Sequence, residues 1–358
     1  IAPKTLVHPI LGKSIAQLLA DLVGSPTFRS TVHRVFPLSR TRVHPYSRIS
    51  SSSSSSSNNA SPRTEKNKQE RKSKTLIMSI LNATPDSFSD GNPARATDAH
   101  VALREVEQHL AAGADLIDVG GMSTRPHAQD VSPADERDRV VRVVEAIRAL
   151  PRKPEEEGPI ISVDTFRPCV ARAALRAGAD LVNDVYGGRE PGMLQLLAEA
   201  ACPVVLMHSR GTPSTMNSLT DYSADGGVVP GVRRELAELV DRALANRVRR
   251  WNILLDPGLG FAKTGTQNLV LLRSLDQLFA AAGTDDTDLH EYPVLVGLSR
   301  KKFLAPEKPV ARDRRLETAA GVACAVQSAR CEIVRVHDTA DARDVVAFSD
   351  RLLNSQEE

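Results

Sequence analysis

The chain has 358 residues, 41% of them apolar, and a formal net charge of +2. That length fills one large domain with an appendage, or two modest domains, and the composition supports a sizeable core. The near balance of charge excludes nucleic acid or an anionic membrane as the main partner, and no apolar run is long enough to span a bilayer.

The chain begins at Ile1, which reads as a piece of a longer or processed polypeptide, so a targeting signal would lie upstream. Residues 1–46 are too few for an independent core. Their GKS triplet lacks the upstream glycine of a phosphate loop, and Ser14–Leu22 reads as a helix after a turn. Residues 47–74 run through a serine tract into SPRTEKNKQERKSK, a flexible linker with too little apolar surface to fold.

Residues 75–358 are regular. Eight short apolar runs, TLIMSIL, DLIDVGG, PIISVDT, DLVNDVY, PVVLMHS, ILLDPG, PVLVGLS and CEIVRVH, alternate with amphipathic stretches such as VALREVEQHLAAGA and VRRELAELVDRALANRV. Continuous apolar strands followed by helices predict a parallel sheet covered on its outer face. Eight such units predict an α/β fold of the (β/α)8 TIM-barrel class rather than a doubly wound sheet. Trp251, just before the sixth run, reads as packing, and Arg247–Arg250 as a solvated helix end. The four cysteines, Cys169, Cys202, Cys324 and Cys331, have no metal-ligand spacing; they read as small buried hydrophobes in a reducing compartment.

In such a barrel the active site lies at the C-terminal ends of the strands. In chain order those ends carry Asn82; Asp118 and the loop Ser123-Thr124-Arg125-Pro126; Asp164; Asn183 and Asp184; His208; Asp256; Ser299, Arg300 and Lys301; and Arg335, His337 and Asp338. A carboxylate such as Asp164 at the end of a buried strand is costly unless something pairs with it. Two carboxylates and an amide suit a flat heterocycle with several N–H donors, and Arg125, Arg335 and His337 suit phosphate or diphosphate. Asn82 and the phosphates would share a Mg²⁺, which takes few protein ligands beside substrate oxygens. Asp118 and Asp184 read as supports for their neighbours. His208 reads equally as a packed histidine or a ligand contact.

LNATPDSFSDG, IDVGGMSTRP, SVDT, NDV, LMH, DPGLGFAKT, GLSRK and RVHD occur in order across Thr75–Leu353. Together they closely resemble dihydropteroate synthase, the sulfonamide target of folate biosynthesis. The resemblance implies a homodimeric TIM barrel that condenses 6-hydroxymethyl-7,8-dihydropterin diphosphate with 4-aminobenzoate, releasing pyrophosphate and 7,8-dihydropteroate. It implies a pterin pocket of Asp164, Asn183, Met207, Asp256 and Lys301, and a diphosphate site of Asn82, Thr124, Arg125, Arg335 and His337, with Mg²⁺ at Asn82. Phe88, Pro126, Phe261 and Ser299 would shape the aminobenzoate site, and Asp164, Asp256, Lys301, Arg335 and His337 would serve catalysis along an SN1-like path. Loops carrying Phe88 and Arg125 would close over the reaction.

Residues 1–46 resemble the C-terminal tail of a 6-hydroxymethyl-7,8-dihydropterin pyrophosphokinase, without its catalytic positions, which implies a fused parent protein, cytoplasmic or mitochondrial. Met122 and His127 depart from bacterial relatives, which commonly carry Glu and Gly there, and the stretches PRKPEEEG and AAGTDDTDLHE read as surface insertions. Two rivals are a pterin-dependent methyltransferase, which has no reason to keep STRP and RVHD, and a non-catalytic pterin-binding scaffold, which has no reason to keep every chemically competent position.

Overall fold

The computed structural model describes residues 74–83, 99–122, 131–151, 158–212, 214–281 and 287–355. The tail over 1–46, the linker up to 73, the loop positions Phe88, Thr124, Arg125, Pro126 and His127, and the middles of both insertions lie outside the described residues.

Each apolar run forms a strand: β1 Leu76–Asn82, β2 Leu116–Gly120, β3 Ile160–Asp164, β4 Leu181–Asp184, β5 Val204–Met207, β6 Ile253–Asp256, β7 Leu295–Gly297 and β8 Ile333–Val336. Each is followed by its helix: α1 Ala99–Ala111, α2 Pro133–Arg148, α3 Pro168–Ala177, α4 Met193–Ala200, α5 Val228–Ala245, α6 Gly265–Arg273, α7 Arg315–Gln327 and α8 Thr339–Leu353. Local chemistry sets several boundaries. Ser132 caps α2 by accepting from the Asp135 amide at 3.1 Å, with Pro133 in the first turn. Pro168 starts α3 and Gly178, at φ 115°, ends it. Thr264 and Gln267 cap α6 reciprocally.

The strands pair in parallel in the order β6-β5-β4-β3-β2-β1-β8-β7. The ring closes between β6 and β7 through a single bridge, Leu255 to Val294, with the Leu255 amide donating to Pro293 O at 2.9 Å. β7 has only three residues, too few for a full ladder at this seam. The (β/α)8 barrel is therefore present.

Two cores form. One lies between the sheet and the helices and includes Val119, Val163, Leu206 and Leu255 from the strands and Val144, Val170 and Leu236 from the helices. Each such side chain contributes about 1.5–3 kcal/mol by leaving water. The other, inside the barrel, contains Met78, Leu116, Leu181, Val205, Leu254, Leu295 and Ile333, flanked by Leu76 and Ile160. Because strand side chains alternate with period two, the next inward positions are Ile80, Asp118, Ser162, Asn183, Met207, Asp256, Gly297 and Arg335. The barrel interior is thus apolar below and polar above, and this gradient places the site.

Two expectations need correction. Trp251 is 54% exposed, with the Arg249 guanidinium 5.9 Å from its ring, so it sits on the surface instead of filling the core. Cys202 and Cys331 are buried as expected, but Cys169 and Cys324 are exposed because they lie on the outer faces of α3 and α7. Among the described residues no helix is long and apolar enough to cross a membrane.

Candidate active site at the barrel mouth

Sheet register brings the expected residues together. Asn82 of β1 stands opposite Gly120 of β2, Gly120 opposite Asp164 of β3, and Asp164 opposite Asn183 of β4. Asp256 of β6 is paired with Met207 of β5, and Arg335 of β8 with Gly297 of β7. Two inward positions are glycines. A Cβ on Gly120 would stand 3.8 Å from Asn82 Oδ1 and from Asp164 Cβ, and one on Gly297 would stand 3.7 Å from Asp256 Oδ2. Their missing side chains leave room beside both carboxylates.

Arg335, opposite Met78 of β1 and Gly297 of β7, sits lower in the barrel and reaches up between two carboxylates. Its Nε donates to Asp118 Oδ2 and its Nη2 to Asp164 Oδ2, both at 2.6 Å. Asn183 Nδ2 donates to the same Asp118 oxygen at 3.1 Å. Asp118 is fully buried and organises its neighbours, as its place at strand end suggested. Although burial works against the charge on Arg335, Asp118 and Asp164 raise its pKa above the ordinary arginine value. Burial pushes the Asp164 carboxyl up to about 7, against the opposing pull of Arg335. Among the described residues, Asp164 Oδ1, Asp118 Oδ1 and Ser162 Oγ are buried with no hydrogen-bond partner. Buried oxygens of this kind are normally satisfied: the two carboxylate oxygens can only accept, and the Ser162 hydroxyl can donate or accept.

On the opposite wall Asp256 accepts from the Gly258 amide at 2.7 Å, and its burial raises its pKa. Lys301 donates to Leu259 O and lies 4.9 Å from the centre of the Phe261 ring. Burial lowers the Lys301 ammonium to about 8, with Asp256 opposing. Ser299 accepts from the His337 amide at 3.1 Å and lies 3.0 Å from His337 Nδ1, which joins the ends of β7 and β8. Arg300, at φ 58°, makes a two-pronged bond to Asp338 at 2.9 and 2.7 Å, which locks the loops bearing Lys301 and His337 together.

Strand parity sorts the remaining polar residues. Asp184 points outward and accepts from the amides of Tyr186 at 2.8 Å and Gly188 at 2.7 Å, which makes it the support expected. Thr165, also outward, donates to Glu136 Oε1 at 2.6 Å, and Arg167 donates to Glu136 Oε2 at 2.8 Å. His208 is fully buried behind the site, beside Glu235 and Lys263, which is the packed histidine of its two readings. Glu235, Lys263 and Arg210 were missed by sequence reasoning. Glu235 left a signal as an acidic residue beside Leu236 on the apolar side of α5, and Lys263 as a member of DPGLGFAKT.

Among the described residues no group of three His, Cys, Asp or Glu side chains is arranged to hold a metal. The Asn82 amide beside Gly120 is a single neutral oxygen donor at the open mouth. That donor fits a Mg²⁺ carried on substrate phosphates, which needs few protein ligands, and does not fit a metal held by the protein alone.

Residues 78–337 match the pterin binding enzyme family. The chain is 39% identical over 282 residues to dihydropteroate synthase of Synechocystis, covering 78% of this chain and 90% of that protein. It is 37% identical over 350 residues to folic acid synthesis protein fol1 of Pneumocystis carinii, covering 97% of this chain and 42% of that protein. Among solved structures, Yersinia pestis dihydropteroate synthase in complex with a sulfonamide drug is 34% identical, with a TM-score of 0.70, covering 79% of this chain and 95% of that one.

Proposed function

Because this chain belongs to the pterin-binding enzyme family, and within it to the dihydropteroate synthases, we propose that its barrel mouth joins 6-hydroxymethyl-7,8-dihydropterin diphosphate to 4-aminobenzoate. Pyrophosphate leaves, and 7,8-dihydropteroate is the product. The observation that carries this reading is the partnerless oxygen of Asp164 among polar groups at one level of the barrel. A ring with adjacent N–H donors supplies what Asp164 lacks, and Asn183, Asp256 and Lys301 surround the same space.

The mechanism follows from charge. Arg335, fixed in direction by Asp118, and His337, fixed by Ser299, hold the diphosphate and receive the negative charge that grows as it leaves. A Mg²⁺ bound by Asn82 and the phosphates would neutralise the same charge. As the C–O bond breaks, the pterin methylene becomes a cation delocalised into the ring, and the carboxylates of Asp164 and Asp256 stabilise it. Lys301 orients the ring by hydrogen bonding and makes no covalent bond. The aminobenzoate amine then forms the C–N bond and loses its proton. Phe261 and Ser299 would shape the amine's site, and Phe88 and Pro126 are expected to join them. The loops with Phe88, Thr124 and Arg125 would exclude water that could capture the cation.

We read the protein as a homodimer. The neighbouring helices α7 and α8 carry Leu316, 78% exposed, and Phe348, 59% exposed, apolar side chains that a second copy would cover. Residues 1–46 are read as the tail of a fused pyrophosphokinase, a reading supported by the Pneumocystis relative, of which this chain spans less than half. Four unpaired cysteines fit the reducing cytosol or mitochondrial interior. The test of the pterin site is titration with dihydropterin diphosphate. Asp164→Asn and Asp256→Asn should each weaken binding, and undiminished binding in both would reject the assignment.

A further inference from the structure

Behind the site lies a buried chain of polar groups that the reaction does not use. Lys263, 8% exposed, places Nζ 2.9 Å from His208 Nδ1, 3.0 Å from Gly258 O and 2.9 Å from Phe261 O. His208 Nε2 lies 3.0 Å from Glu235 Oε2. Glu235 also accepts from Arg210 Nε, at 3.0 and 3.2 Å to its two oxygens. Burial lowers the Lys263 pKa to about 7, with Asp256 opposing. As an ammonium it can only donate and the Glu235 carboxylate can only accept, and neutral His208 beside them then carries its proton on Nε2 and accepts at Nδ1. All three Lys263 protons then have acceptors. The chain runs from Arg210, in the loop after β5, and Glu235 of α5, through His208 just beyond β5, to the loop after β6.

That loop, 257–263, is held at five of its seven carbonyls. Lys263 holds the carbonyls of Gly258 and Phe261, Lys301 holds that of Leu259, and the Tyr222 hydroxyl donates to Ala262 O at 3.1 Å. Asn268 accepts from the Gly260 amide at 2.5 Å and donates to Lys263 O at 3.3 Å. The fixing is needed because the conformation is unfavourable. Ala262 has φ 50°, and Gly258, at φ 64°, passes so close to β5 that an added Cβ would lie 1.8 Å from His208 O. Asp256 ends β6 and Lys301 follows β7, so each has an anchor in the sheet besides its bond to this loop. Phe261, at the bend, is the site residue whose own carbonyl Lys263 holds.

We propose that Lys263 is a positioning residue for the amine substrate: through Gly258 O and Phe261 O it sets the Phe261 ring against the 4-aminobenzoate site, braced from behind by His208 and Glu235. The inference rests on the assignment of Phe261 to that site. It separates the two substrates by degree, because Asp256 and Lys301 are anchored by the sheet as well as by this loop, whereas Phe261 lies wholly within it.

The experiment compares Lys263→Met, Glu235→Gln and Phe261→Ala in the full chain, measuring KM and kcat for 4-aminobenzoate and Kd for dihydropterin diphosphate. Lys263→Met should raise the aminobenzoate KM about tenfold or more, as loss of a charged hydrogen-bond donor implies, with pterin Kd held within about twofold. Its kcat should change less than about threefold, the signature of lost uniform binding. Glu235→Gln, farther from the bend, should show the same split at smaller size, and it carries the test if Lys263→Met does not fold. An equal loss of affinity for both substrates would reduce Lys263 to a general structural role and overturn the proposal. An unchanged aminobenzoate KM in Lys263→Met and Glu235→Gln, with a raised KM in Phe261→Ala, would also overturn it while leaving the Phe261 assignment intact. If Phe261→Ala is unchanged as well, the assignment itself fails and takes the inference with it.

Discussion

Arg335 donates to Asp164 at 2.6 Å, so the cation at the end of β8 is bonded to the carboxylate at the end of β3 before any ligand arrives. With Asp118 on its Nε, this arginine joins the two halves of the site. It orients the acceptor that meets the pterin, and it presents its remaining N–H groups to the leaving diphosphate.

Removing Arg335 should therefore damage fold and function separately. Arg335→Met leaves Asp118 and Asp164 buried and unpaired, at a cost of about 3–5 kcal/mol. Adding Asp118→Asn should restore much of the melting temperature and none of the turnover. Thermal melts alongside product assays check this; recovery of both together would show that the arginine serves packing alone.

Asp164→Asn retains the shape of the side chain but gives up a charged acceptor. Pterin affinity should fall by about ten- to a hundredfold, the usual size for a charge-assisted hydrogen bond. Equilibrium titration of dihydropterin diphosphate measures it directly.

Protonation gives a third expectation. Asp164 must lose its proton to accept from the ring, and burial holds that proton up to about 7. Lys301 must keep its proton, which burial loosens at about 8. Pterin affinity should rise with pH until Asp164 is ionised and fall once Lys301 is neutral. Binding should release protons near about pH 6 and take them up near about pH 9, measured calorimetrically in buffers of different ionisation heat. A flat profile would remove both groups from ligand contact.

Chelation of Mg²⁺ should stop turnover while the pterin alcohol, which lacks the diphosphate, still binds. Asn82→Ala should raise the Mg²⁺ needed for half-maximal rate about tenfold, a common cost of disturbing a metal site. An unaltered Mg²⁺ requirement would move the ion away from β1.

A dimer built on α7 and α8 should separate when Leu316→Glu or Phe348→Glu places charge on the covered face. Sedimentation would then give a monomer for either variant and a dimer for the parent chain.

Much of the fold and the site is legible in the amino-acid sequence. Eight apolar runs mark the strands because parallel strands buried on both faces need continuous hydrophobicity. The polar residues at their ends mark the mouth because little else explains such costly groups there. Strand parity, readable from the same runs, separates inward Asp118 and Asp164 from outward Asp184 and His208. Spacing alone hides the Lys263–His208–Glu235 chain, because its members lie on three elements that only the closed barrel brings together. Trp251 misleads because a large aromatic beside a strand usually packs inward, whereas the strand here begins two residues later, at Ile253, and leaves the ring outside.

The most direct test is pyrophosphate release by the full chain, supplied with Mg²⁺ and dihydropterin diphosphate, with and without 4-aminobenzoate, the product being identified by mass. Dihydropteroate formed only when the amine is present, and lost in Asp164→Ala and Arg335→Ala, is the expected result. A folded chain that binds the pterin yet releases no pyrophosphate with both substrates present would contradict the synthase assignment and leave a pterin-binding scaffold in its place.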